Sequence, residues 1–187
     1  MNLDLFDEFD PNPSLAPVVS PIALGQQAFL LRQFAGLNQL DVLQALLQDI
    51  DAVAAVAPFR HMQTARGHSL SAAMSNCGAR GWVSNQHGYR YTTHDPLTGL
   101  LWPPMPRLWF ELAQQAAAQA GFDNFQPDAC LINQYVAGSR MGLHQDKDEA
   151  ELKAPVLSVS LGDTAVFRIG AAGGGPTRTV KLASGDV

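Results

Sequence analysis

From Ala129 onward, short apolar runs alternate with glycine turns, and this half of the chain admits few folds. The runs are Cys130-Leu131-Ile132, Val156 to Leu161, Ala165 to Ile169 and Thr179 to Leu182. Turns fall at Gly138, Gly162-Asp163, Gly170 to Pro176 and Ser184-Gly185-Asp186. Runs of this length bounded by turn residues read as strands. Two helical faces precede them. Leu40, Leu43, Leu47, Ile50, Val53 and Val56 recur in steps of three and four, with Asn38 or Asp41 to start a helix and Pro58 to end it. Leu108, Leu112, Ala116 and Ala120, with Trp109 and Ala113 beside them, make a second face that Gly121 can cap. Helices first and short strands later predict an α+β protein with a β-sandwich or barrel core, the helices packed outside it. Ahead of the first helix, the prolines at 11, 13 and 17 make an irregular entry arm, and Ala23 to Phe34 is expected to hold a short strand.

At 187 residues the chain suits one domain with a sizeable core. It has no run of about 18 apolar residues, the length that reads as a membrane-spanning candidate, and its first ten residues are acidic, unlike a secretory signal. Cys77 and Cys130 are the only cysteines, which points to a reducing cytoplasm and two small buried residues. The net charge of -5 is unevenly spread. Residues 52–94 hold Arg60, Arg66, Arg80 and Arg90, four His and no acid, a candidate electropositive patch for phosphates on an otherwise acidic protein. A chance fluctuation on a soluble surface explains four charges equally well.

Chemistry concentrates between Asn133 and Glu149. Along an extended backbone positions i and i+2 share a face, so His144 and Asp146 can aim at one point. An imidazole and a carboxylate there are two thirds of the set that holds non-haem Fe(II) with open positions. Asn133 and Tyr135 have the same spacing and offer an amide and a phenol to an anion. Spacing alone discriminates little: with five His and 13 Asp, some His-x-Asp arises by chance about one time in three. The competing reading is a polar turn with solvated acids.

Residues 59–97 read as short strands and turns. Trp82, Tyr89 and Tyr91 sit among Arg80, Arg90 and His87, and Tyr89 and Tyr91 share a face. Flat aromatics interleaved with cations suit base stacking and phosphate binding; they equally suit a small core. Leu97 to Pro106, with three prolines, is a loop.

The order of motifs then narrows the choice. Gln126 to Tyr135, His144 to Glu149 and Ala154 to Gly162, preceded by Ser75-Asn76-Cys77-Gly78, Gly81-Trp82, Gly88 to Tyr91 and Asp95-Pro96, resemble the AlkB-type Fe(II)/2-oxoglutarate dioxygenases. The resemblance covers most of the chain after about residue 58. It implies a double-stranded β-helix (jelly-roll) core with outer helices, and an N-terminal nucleotide-recognition lid over residues 58–97 within a single dioxygenase domain spanning 1–187. It implies Fe(II), 2-oxoglutarate and O2 as cofactor and co-substrates, and oxidative demethylation of alkylated bases in DNA or RNA. Single strands are the expected partner, and a cytoplasmic monomer the expected form. By resemblance His144 and Asp146 are metal ligands, and Asn133 and Tyr135 contact 2-oxoglutarate. Trp82 sandwiches the base, and Tyr89, Tyr91 and Asp148 are substrate contacts. Thr64, Ser69 and Met74 fall in the lid, where His68 replaces a Tyr common in the family.

The sequence departs from the family in one respect. The third ligand, a His, follows a Gly-Asp-Val segment, and an Arg that pairs with 2-oxoglutarate lies further on. Here Gly185-Asp186-Val187 is the end, and no His follows Asp146. The expectation is an incomplete chain, inactive as given, whose full protein is an active dioxygenase. Two other functions compete: a non-catalytic nucleic-acid-binding module with an incomplete metal site, and a jelly-roll oxygenase of a small metabolite. A structural β-sandwich would leave Asn133, Tyr135, His144 and Asp146 pointing apart.

Overall fold

The computed structural model describes residues 19–25, 27–36, 40–145, 153–171 and 174–187. Among them the order is β1 (Ile22–Gly25), β2 (Ala28–Leu30), α1 (Leu40–Val56), β3 (Arg60–Gln63), β4 (Ser69–Gly78), β5 (Gly81–Asn85), β6 (Gly88–Thr92), α2 (Arg107–Gln119), β7 (Ala129–Gln134), β8 (Ala165–Gly170) and β9 (Thr177–Leu182). The class is α+β, as expected. The strands form four small antiparallel sheets: β1-β2, β3-β4-β7, β5-β6 and β8-β9. Pairing among the described residues does not close them into one barrel. No helix among these residues is long and apolar enough to cross a membrane.

The helices fall where periodicity places them, but α1 turns a different face inward. Leu46, Val53 and Ala57 are buried, whereas Leu47 and Val56 are about half exposed, at 49% and 52%. The reason lies in the sequence: with leucines at 43, 46 and 47, steps of three and four trace either of two adjacent lines. In α2, Leu112, Ala113, Ala116 and Ala117 are buried. The amides of Gly121 and Phe122 close its end on the carbonyls of Ala118 and Ala117, at 3.0 and 2.9 Å.

Two cores result. Leu46 of α1 and Leu112 and Ala116 of α2 meet Leu31, Phe34 and Ala35, with Leu157, Val159 and Leu161 packed against them. The run Val156–Leu161 was expected as a strand; it forms none among the described residues, although Leu157 and Val159 turn inward while Val156 and Ser158 are exposed. Its ladder bonds go instead to the end of the chain, from Ser160 N–H to Asp186 O (2.9 Å) and from Gly185 N–H to Ser160 O (2.8 Å). The second core holds Met62, Ala72, Met74, Val83 and Trp102 beneath the β3–β6 region. Met74, expected in the lid, is 1% exposed and belongs to this core. An even residue of β4, it lies on the same face as buried Ala72.

Gly185–Val187 is part of the first core. Val187 and Leu31 exchange backbone hydrogen bonds at 2.8 and 3.0 Å, and Ala35 N–H reaches Gly185 O at 2.9 Å. Asp186, 1% exposed, accepts from the Arg32 guanidinium (2.6 Å) and from the amides of Gln33 (2.8 Å) and Ala183 (2.9 Å). Every acceptor lone pair of a buried carboxylate needs such a donor.

Candidate active site

The site begins at the β4–β7 ladder. Its register pairs Met74 with Asn133 and Ala73 with Gln134, after which β7 leaves the sheet. The chain turns at 136–139, where Ser139 N–H bonds Val136 O at 2.9 Å and Gly138 takes φ +87°, a conformation that costs glycine nothing. It then runs back towards β4 and on to His144.

Asn133 is the informative residue. Its Oδ1 is buried and has no hydrogen-bond partner. A buried unpartnered amide oxygen costs about 1–3 kcal/mol unless a ligand completes it. A half-turn of the amide presents its NH2 at the same place, which is what a carboxylate requires. Tyr135 follows just past the strand, half-exposed, with its hydroxyl directed at Met141 Sδ (3.9 Å). Loss of water around the ring pushes its phenol above the ordinary range, so it stays a neutral donor.

His144 sits in the exposed segment after the turn, its Nδ1 2.8 Å from Gly142 O. A carbonyl can only accept, so Nδ1 donates to it, which leaves Nε2 as the ring nitrogen for a metal. Asp146 and Asp148 lie outside the described residues. Among those described, no three His, Cys, Asp or Glu side chains group as metal ligands. The donor chemistry that is present fits an Fe(II)–2-oxoglutarate pair: an imidazole whose Nδ1 is held by a carbonyl, an amide whose buried oxygen lacks a partner, and a phenol.

The aromatic wall comes from the β5–β6 hairpin. Trp82 pairs directly with Tyr91 and Ser84 with Tyr89, so Trp82, Tyr89 and Tyr91 share one face. Trp82 and Tyr89 stack, with centroids 6.1 Å apart and planes 16° from parallel. Trp82 also packs against the second core. The core reading of this aromatic therefore holds for Trp82, whose stacking partner within the chain is Tyr89. Tyr89 is half exposed (52%).

Three supports of this wall escaped sequence reasoning. Asn76 is fully buried, and its side chain acts as a neighbouring strand would: it accepts from Trp82 N–H (2.9 Å) and donates to Trp82 O (3.0 Å). Gly81 lies so close to the Trp102 indole that a β-carbon would run into the ring. Arg60 grips buried Asp95 with two hydrogen bonds, at 2.8 and 2.7 Å, and lies 5.3 Å over Trp102. The motif quoting Asn76 and Asp95 was visible, but nothing in it gave their partners. Arg60 is thus occupied structurally, which weakens the expected phosphate patch by one of its four arginines. Thr64 closes the β3–β4 turn by bonding His68 O (2.8 Å), and the His68 amide reaches its hydroxyl (3.2 Å).

Cys77 and Cys130 face each other as cross-strand partners of β4 and β7, both as free thiols. The hydrogen bond to Cys130, then burial, push the Cys77 thiol far up.

Comparison with known proteins gives one answer. The 2OG-Fe(II) oxygenase superfamily matches residues 18–187. The alpha-ketoglutarate-dependent dioxygenase AlkB of Salmonella typhimurium is 47% identical over 187 residues, covering 99% of this chain and 81% of its own length. That of Escherichia coli is 44% identical over 186 residues, with the same coverage of 99% and 81%. The solved structure of OsALKBH1 superposes with a TM-score of 0.75 at 26% identity, covering 89% of this chain and 80% of that one.

Proposed function

The chain belongs to the AlkB-type 2-oxoglutarate- and Fe(II)-dependent oxygenases, and we propose that it removes alkyl groups oxidatively from nucleobases of DNA or RNA, a direct-reversal repair. The observation that carries the reading is the 47% identity spanning 99% of the chain. The proposed form is a cytoplasmic monomer, a single domain on a jelly-roll core with residues 58–97 as its lid.

In this reading His144 and Asp146 hold the metal, and Asn133 and Tyr135 hold 2-oxoglutarate. Fe(II) with 2-oxoglutarate and O2 supplies the two-electron oxidation that hydroxylates an alkyl carbon on a base nitrogen, yielding succinate and CO2, after which the product sheds an aldehyde. The chain's own residues bind and orient. Asn133, with its amide turned so that the NH2 lies where Oδ1 has no partner, donates to a carboxylate. Tyr135, a phenol that keeps its proton near neutral pH, donates without adding negative charge beside an anion. Trp82, Tyr89 and Tyr91 give an extruded base a π surface, and Asp148 meets its edge. A base must leave its stack to reach the metal, which favours single strands and weakened pairs.

The test measures succinate release and aldehyde formation on an N-methylated single-stranded oligonucleotide, together with oligonucleotide binding by Trp82→Ala. Weakened binding by Trp82→Ala is expected, and alkyl-dependent succinate release once a third metal ligand and a cation for 2-oxoglutarate complete the set of His144, Asp146, Asn133 and Tyr135. Binding that persists without any iron-dependent turnover would favour a binding module; turnover indifferent to Trp82 would favour a small metabolite.

A further inference from the structure

We propose that Ser71 is a positioning residue that holds the His144 loop onto the strand leading out of the lid hairpin; this rests on the reading of His144 as a metal ligand. Ser71 is the third residue of β4, two positions beyond the last β4–β7 pair, Ala73 with Gln134. The chain that left the sheet after Gln134 comes back to it here. The Ser71 hydroxyl donates to Arg140 O (2.6 Å) and accepts from Arg140 N–H (2.9 Å). Ser139 Oγ donates to Ser71 O (3.2 Å). One hydroxyl thus satisfies both backbone groups of a single residue, in place of the ladder pairing that β7 gave up.

The consequence is geometric. Arg140 lies four residues before His144, and only the short run Met141, Gly142 and Leu143 separates the clasp from the imidazole. His144 is itself steadied by Gly142 O (2.8 Å). The same strand returns from the 64–68 turn of the lid. Ser71 is the side chain through which lid strand and metal-bearing loop share a position. It is exposed, so it fills no core space, and its removal costs little packing.

The experiment compares Ser71→Ala and Ser71→Thr with the parent, by amide hydrogen exchange of residues 139–145 in metal-free protein and by affinity for Mn(II), a redox-silent probe. Ser71→Ala is expected to speed exchange about tenfold, the factor a loss of 1.4 kcal/mol gives, and to weaken Mn(II) binding about tenfold, as loss of an outer support of a metal ligand does. In turnover the loss should fall on the KM for 2-oxoglutarate rather than on kcat. Ser71→Thr, which keeps the hydroxyl, should restore both readouts. Unchanged exchange in Ser71→Ala overturns the clasp. Faster exchange with unchanged Mn(II) affinity overturns its role in positioning. Mn(II) affinity unchanged in His144→Ala removes the metal reading beneath the proposal, while the exchange arm still reports on the clasp.

Discussion

Arg32 donates to Asp186 at 2.6 Å across 154 positions of sequence, and the carboxylate it meets is fully buried. The guanidinium is the partly exposed partner, so the cost of breaking the pair falls on Asp186. Asp186→Asn turns one acceptor into a donor facing the amides of Gln33 and Ala183. We expect it to destabilise the protein by about 3 kcal/mol, measured by urea unfolding, the scale for a buried pair losing one partner. A change within experimental error would mean that the 31–35 segment is held by backbone pairing alone.

Asn76→Ala removes both hydrogen bonds to the Trp82 backbone and leaves a buried peptide unit unsatisfied. A loss of about 2 kcal/mol is expected. Trp82 fluorescence should shift towards that of an exposed indole, and oligonucleotide binding should weaken. A destabilised variant with unaltered fluorescence would show that β5–β6 pairing alone places the indole.

Much of this architecture was legible in sequence. The helix spans follow from apolar periodicity, and the strands of the second half from short runs between glycines. The AlkB resemblance, carried by the motifs between Ser75 and Gly162, agrees with the family and relatives that the chain matches. What sequence did not give was partnership at a distance. Leu46 in place of Leu47 was lost because two apolar lines run side by side on α1. Nothing local in Gly185-Asp186-Val187 tells that its aspartate anchors Arg32 and that its neighbours pair with 31–35. Ser71, Asn76 and Asp95 act through contacts with residues 69, 6 and 35 positions away, which no local pattern encodes.

Asn133→Ala deletes the unpartnered amide. Affinity for 2-oxoglutarate, read by isothermal titration with Mn(II) present, should fall about tenfold or more, the equivalent of one hydrogen bond to a charged group. Because the parent leaves Oδ1 unsatisfied, the ligand-free variant should be no less stable than the parent. A stability loss with undiminished affinity would assign Asn133 to the core.

Tyr135 gives a pH prediction. Desolvation raises its phenol above the ordinary value near 10, so folded and unfolded chains both hold the proton below that value and stability is untouched by this group. Above it the unfolded chain ionises first, and stability is lost as pH climbs through the folded pKa. Urea unfolding should therefore show an alkaline loss above pH ~10 that Tyr135→Phe reduces. An identical alkaline limb in the variant would place the phenol in water.

If His144 presents a metal to which 2-oxoglutarate binds beside Asn133, the two ligands should form one chelate on the protein. The most direct measurement is anaerobic titration of Fe(II) and 2-oxoglutarate, following the visible absorption of their chelate on the protein. A saturable band is expected that His144→Ala abolishes while the thermal melting of the metal-free protein is unchanged. The same band at the same affinity in His144→Ala would contradict it.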